Sequence, residues 1–236
     1  MALVIGCLSE SNEHQKSSTK KELIKVLAVM AEVFEDKLLE LFPKVIQLIA
    51  KRIKEGDPQL NTPSAETMGA IVSYCLKGLS VDEYCNCLRS ALKIFFAIFS
   101  KNVKQAQIGA AMCISKIIQT SLVEPLTEII DQVMLKLLEV MKWSTCSAHL
   151  QLLEAILSLI LAMEDNIEKL QQNAKILLPI VVDNMTNPDW NVRKIAIEII
   201  YTIAILSPDV LSTHRTDLVE LLNQLRFDKV NFFSSG

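Results

Sequence analysis

One spacing constrains this chain more than anything else in it. Polar, turn-forming stretches interrupt its apolar helical patterns near Ser18, Pro63, Asn102, Thr145 and Asp189, at intervals of about 45, 39, 43 and 44 residues. Each interval holds two apolar patterns of helical period. The unit that recurs is helix, tight polar turn, helix. One such pair has an apolar face that it cannot bury alone, and stacking copies side by side hides it.

The clearest unit ends in residues 186–206. Asn187-Pro188-Asp189 is a turn signal, with Pro fixing φ and Asp able to cap the helix that follows. Ile195, Ile199, Thr202, Ile203 and Leu206 then recur at helical spacing. This turn resembles that of the HEAT repeat, in which Asp is followed by Val-Arg and an Ala-rich second helix. Asp189, Val192-Arg193 and Ala196 match it. HEAT and armadillo arrays have periods of about 40–47 residues. We therefore expect an all-α, HEAT-repeat (armadillo-like) α-solenoid of about five helix pairs.

In chain order, Met1–Ser9 reads as the end of a helix and Glu10–Ser18 as a loop. A partial repeat covers 1–34, with an amphipathic helix over Lys20–Phe34. Repeats follow at about 37–78, 82–120, 123–163 and 166–206, then a final helix over 213–226 and a frayed tail over 227–236. Residues 1–230 are expected to form a single array, cut from a longer one. Pro43 is expected to kink its helix or delay its regular start. Glu55–Thr62 reads as a loop, with a helix starting at Pro63-Ser64-Ala65-Glu66. Gly109-Ala110-Ala111 would let helices approach closely.

Composition closes off several classes. Half the residues are hydrophobic but only 6% aromatic, and Gly and Pro are few, which argues for helices over a sandwich or barrel. A net charge of −3 argues against nucleic acid as a general partner. The cysteines (Cys7, Cys75, Cys85, Cys87, Cys113 and Cys146) form no C-x-x-C pair, and His14, His149 and His214 are far apart. Buried or free thiols in a reducing cytoplasm are expected, with no metal and no cofactor. The N-terminal apolar stretch lacks a basic n-region. The apolar run Leu152–Met163 is too short for a bilayer, so no membrane is implied. No nucleophile triad or phosphate loop is present. Catalytic residues are expected to be none, and the chain is not expected to be an enzyme.

Three segments resemble one family more closely than they do HEAT proteins at large. They are Gln107-Ile108-Gly109-Ala110-Ala111-Met112-Cys113-Ile114-Ser115-Lys116, Asp189-Trp190-Asn191-Val192-Arg193-Lys194 and Arg226-Phe227-Asp228-Lys229-Val230. Their order and spacing are similar to the N-terminal domain of the Tortifolia/Spiral-type plant microtubule-associated proteins. The resemblance implies a TOG-like HEAT array that binds tubulin or the microtubule lattice, in the cytoplasm and on the cytoskeleton. The family's helix before the equivalent of Met1, its basic linker and its coiled-coil tail have no counterpart here.

In TOG-like arrays the turns inside each repeat line up along one edge, and that edge meets tubulin. Trp143 and Trp190 both fall in such turns. Each is either an interface anchor or a ring packed on the neighbouring repeat. Arg193 either pairs within the array or contacts an acidic surface; Lys194 reads the same way, more weakly. Lys54, Lys101, Lys104 and Lys142 lie in or beside the same turns, as ordinary solvated lysines or as a basic row that steers the domain. Glu32, Glu35, Asp36, Asp82 and Glu83 read as solvated helix ends. The rival function is a scaffold holding a protein or peptide on its concave face, of transport-adaptor or phosphatase-scaffold type.

Overall fold

The structure, a computed structural model, describes residues 16–225. The expectations for Met1–Ser9, Arg226–Val230 and the tail lie outside those residues. The chain divides into two compact units, one ending at Ala162 and the other beginning at Met163.

In the first unit, α1 (Ser17–Phe34) leads through a 3₁₀ segment (Glu35–Leu41) into α2 (Phe42–Lys54). Then follow α3 (Pro58–Cys75), α4 (Val81–Phe96) with a 3₁₀ extension (Ala97–Ser100), α5 (Lys104–Thr120), α6 (Val123–Met141) and α7 (His149–Leu161). Helices α1, α3, α5 and α7 pack side by side in one layer. Helices α2, α4 and α6 form the other, each packed on its partner in the first. The core between them is mostly Leu, Ile, Val, Met and Ala, with the rings of Phe42, Tyr84, Phe95, Phe96 and Phe99.

Helix starts follow local chemistry. Ser80 and Glu83 form a capping box on α4, with the Ser80 hydroxyl accepting from the Glu83 N–H. Pro43 stands in the first turn of α2, where its missing N–H costs nothing, and α-helical geometry begins at Phe42 rather than Lys37. α1 likewise begins at Ser17, ahead of the expected Lys20. The expected start at Pro63 is corrected too. Asp57 caps the helix by accepting from the Gln59 N–H at 2.9 Å, Pro58 opens it, and Pro63 lies buried inside α3. The expected loop therefore shrinks to Glu55-Gly56-Asp57. Gly56 has φ +73, and a Cβ there would meet Val103 Cγ1 at 3.1 Å, so this turn needs glycine.

Apolar stacking alone would let helices slide past one another; buried polar groups fix the register. Thr67 donates from α3 to the Ile24 carbonyl on α1 at 3.0 Å. Asn61 donates from α3 to the Gln105 carbonyl on α5 at 3.1 Å. In the second layer, Tyr84 accepts from the Leu122 N–H at 3.2 Å. Buried groups like these specify one arrangement because any slip leaves them unsatisfied. Gly109 permits the close crossing of α3 and α5, since a Cβ there would sit 2.8 Å from Ile53 Cδ1 and collide with Asn61.

In the second unit, α8 (Ile167–Asn184) and α9 (Trp190–Leu206) form an antiparallel pair. A short α10 (Pro208–Leu211), a 3₁₀ turn (Ser212–His214) and α11 (Arg215–Leu225) follow. Asn166 caps α8 and Asp189 caps α9, each side chain accepting a backbone N–H from the first turn.

The described cysteines are all free thiols. Burial, with Asp36 and Glu35 nearby, pushes the Cys75 thiol up to about 11; burial raises Cys113 further. Neither is poised as a nucleophile at neutral pH. Among the described residues no helix is long and apolar enough to cross a membrane, and no His/Cys/Asp/Glu cluster could hold a metal ion.

Candidate functional site

The turns that join the two helices of each pair are Glu55–Asp57, Lys101–Val103 and Lys142–Ala148 in the first unit. Side chains bind them into one edge. Lys20, near the start of α1, pairs with Glu55 at 2.8 Å, and Arg52 donates to the same carboxylate. Val103 lies close over Gly56, near enough that a Cβ there would meet it at 3.1 Å. Gln107 at the head of α5 donates to the Phe99 and Lys101 carbonyls at 3.3 and 3.2 Å and accepts from the Ser147 N–H at 2.9 Å. A buried amide thus ties the second turn to the third.

The candidate lysines of this unit are all on this edge and all exposed: Lys54 ends α2, Lys101 and Lys104 flank the second turn, and Lys142 opens the third. Among the described residues none of these ammonium groups has an ion-pair or hydrogen-bond partner. Helices α5 and α7 begin here with no acidic residue in the first turn and no side-chain cap. Their amide dipoles therefore add to the lysine charge instead of being neutralised. Stability alone would favour a carboxylate at Lys104, whereas Lys54 and Lys142 stand at helix C-termini, where a cation is also favourable for stability.

Trp143 is half-buried beside α6, with the Lys136 ammonium 5.9 Å from its ring centroid. Its ring lies along a groove between α4 and α6, and its backbone closes the third turn through Trp143 N–H to the Val140 carbonyl at 3.1 Å.

The second unit has its own turn, Met185–Asp189. Trp190 opens α9 and is 43% exposed, so its ring is not held in a core. Lys194 is exposed. Arg193 is 8% exposed, and its guanidinium donates to the Asn187 and Pro188 carbonyls at 2.8 and 3.0 Å. Of the two readings of Arg193, this geometry favours the internal one. The guanidinium satisfies turn carbonyls that a cap cannot reach.

The Lys20–Glu55–Arg52 set was not anticipated from the sequence. Arg52 and Glu55 stand at i and i+3, a weak signal, but nothing local marks Lys20 as their neighbour. Burial pushes the Glu55 carboxyl up, and the hydrogen bonds and charges of Lys20 and Arg52 outweigh it, leaving it below the usual carboxylate range. A depressed acid contributes stability above its unfolded value, and that stability is lost as pH falls through the folded one. The wild-type melting temperature should therefore fall below about pH 4. Glu55→Gln should flatten that limb and cost about 1–2 kcal/mol at neutral pH, the lower end reflecting partial exposure. Thermal melts from pH 3 to 7 test this; parallel acid limbs in both proteins would refute it.

Comparison with known proteins places this architecture. Residues 1–233 match the family described as TORTIFOLIA1 N-terminal. The chain is 24% identical over 234 residues to the Arabidopsis thaliana protein named Microtubule-associated protein TORTIFOLIA1, covering 98% of this chain and 26% of that protein. It is 26% identical over 235 residues to TORTIFOLIA1-like protein 5 of the same plant, covering 97% of this chain and 44% of that protein. TORTIFOLIA1-like protein 2 is 26% identical over 228 residues, with 96% and 27% covered. The chain thus spans between about a quarter and under half the length of these relatives. A crystal structure of an engineered protein from the Northeast Structural Genomics Consortium superposes with a TM-score of 0.55 at 16% identity, over 97% of this chain and 91% of that one, which supports the helical-repeat fold. With the family match running over nearly its whole length, the chain belongs to the TORTIFOLIA1 N-terminal family.

Proposed function

We propose that this chain is a TOG-like microtubule-binding module that meets tubulin through the turns inside its repeats. The observation that carries the reading is the row of exposed lysines (Lys54, Lys101, Lys104, Lys142), unpartnered among the described residues, on the turn edge of a chain with net negative charge. A basic edge on a protein of net charge −3 is a local device for steering toward an acidic surface. The name of the relative TORTIFOLIA1 supports the same reading. In the second unit, taken by itself, Lys194 and the exposed ring of Trp190 at its turn are candidate contacts, with Trp190 as anchor. Arg193 acts by holding its turn in shape, and Gln107 by tying two turns together. Cytoskeletal organisation without catalysis follows as the role.

Co-sedimentation with microtubules, run beside gel filtration with free tubulin, tests this. The chain should pellet with microtubules, and its affinity should fall from about 50 to 200 mM salt, because exposed charges are screened over roughly 8–10 Å at physiological strength. Absence of binding to either form would sink the proposal. Salt-independent binding would favour the rival scaffold reading on the layer of α3, α5 and α7, where a pocket of about 190 Å³ lies between Glu66, Lys116 and Glu154.

A further inference from the structure

The groove beside Trp143 lies on the layer of α2, α4 and α6 and has a volume of about 550 Å³. It is a groove open to solvent along its length rather than an enclosed cavity. Its floor is apolar but narrow: Leu92 and Phe96 from α4 and Val133 from α6 show only their edges, and the half-buried Trp143 ring supplies the larger apolar surface at one end. From Arg89 to Ser100 it runs for roughly 16 Å at the helical rise, about three turns of a helix.

The ionisable groups that line the groove are all basic. Arg89 and Lys93 stand one turn apart on α4, and Lys136 faces them from α6. Arg89 donates to the neutral Asn86 at 3.4 Å, and Lys93 has no partner among the described residues. Lys136 reaches the exposed Glu139 at 2.8 Å while lying over the Trp143 ring. No carboxylate lines the groove.

We propose that this groove receives an acidic amphipathic helix from a partner protein. Leucine or aromatic side chains at i and i+4 would seat on Leu92, Phe96, Val133 and Trp143, and carboxylates on the flanks would pair with Arg89, Lys93 and Lys136. Helix-in-groove docking uses this combination of apolar anchors and flanking charge. An amphipathic helix has the length the groove offers, and the basic rim selects its sign. The site meets the turn edge at Trp143, next to Lys142, but its charged groups are not the turn lysines and it does not depend on microtubule binding.

The test uses the full chain and a fluorescein-labelled peptide of about twelve residues, with Leu and Trp at i and i+4 among glutamates. Fluorescence anisotropy should show saturable binding. The double variant Arg89→Glu with Lys93→Glu, checked for folding by circular dichroism, should weaken it at least tenfold, since both side chains are exposed. In a Trp190→Phe background, with an unlabelled peptide carrying Phe in place of Trp, Trp143 is the sole fluorophore of its kind. Its emission should shift to the blue as the peptide displaces water. Several results would overturn the proposal: no binding, equal binding of a peptide with lysines in place of the glutamates, or an unaffected double variant. Self-association of the chain in sedimentation that the double variant abolishes would also overturn it, by making a second copy the occupant.

Discussion

Arg193→Glu is expected to destabilise the second unit by about 3–5 kcal/mol, with or without a partner present, because it puts an uncompensated charge in a buried position. Arg193 is 8% exposed, and its guanidinium donates to the carbonyls of Asn187 and Pro188. A carboxylate there faces those same oxygens and repels them. It also removes the tie between α9 and the turn that Pro188 and Asp189 shape. Arg193→Lys keeps the charge but offers a single ammonium instead of a fork, so it should lose roughly half as much. Hydrogen exchange of the amides from Asn187 to Leu206, followed with thermal melts, would locate the loss. An unchanged melt together with abolished tubulin binding would return Arg193 to the role of a partner contact.

How much of this was readable in the sequence depends on the range of the interaction. The helix of Val123–Met141 has unbroken helical spacing of Leu126, Ile129, Ile130, Val133, Leu137 and Leu138, and it starts where the repeat expected at about 123–163 begins. Asp189 was legible as a cap because capping is local: its oxygen needs only an N–H two residues away. Pro63 misled for a related reason. Proline is a good start signal, but Asp57-Pro58 upstream is a better one, and Pro63, beyond the first turn, is carried inside the helix at the loss of one i→i−4 hydrogen bond. What sequence could not reach are contacts set by stacking. Lys20 meets Glu55 because α1 and α3 pack together. Gln107 looks like an ordinary helical glutamine until Phe99, Lys101 and Ser147 surround its amide. Trp143 was legible as a turn tryptophan, while the basic groove it borders exists only once α4 and α6 lie side by side. The turn lysines were visible as charges; that they lack partners is a property of the folded edge.

Reversing those charges together should give the largest functional effect. In the variant Lys54→Glu, Lys101→Glu, Lys104→Glu, Lys142→Glu, microtubule affinity is expected to fall by on the order of a hundredfold or more at low salt, as attraction to an acidic surface becomes repulsion. Stability should change little. The ammonium groups are exposed and have no partner among the described residues, so no internal bond is lost. A carboxylate at Lys104, which opens α5, interacts favourably with the helix dipole by about 0.3–1 kcal/mol, whereas carboxylates at Lys54 and Lys142, at the C-terminal ends of α2 and α6, each cost about as much. A variant that melts within a few degrees of the wild type yet no longer pellets with microtubules would separate binding from folding. Net charge alone must be controlled for. Lys37 and Lys77 are exposed and lie in the connections at the opposite ends of the helices, so Lys37→Glu with Lys77→Glu makes the chain more acidic without touching the turn edge. That control should lose only a few-fold in affinity, an effect that physiological salt should largely erase. If the control loses as much per charge as the edge variant, binding is a matter of net charge and the edge has no special role. If the edge variant still binds normally, the turn lysines are solvated bystanders, and the layer of α3, α5 and α7 becomes the surface to test.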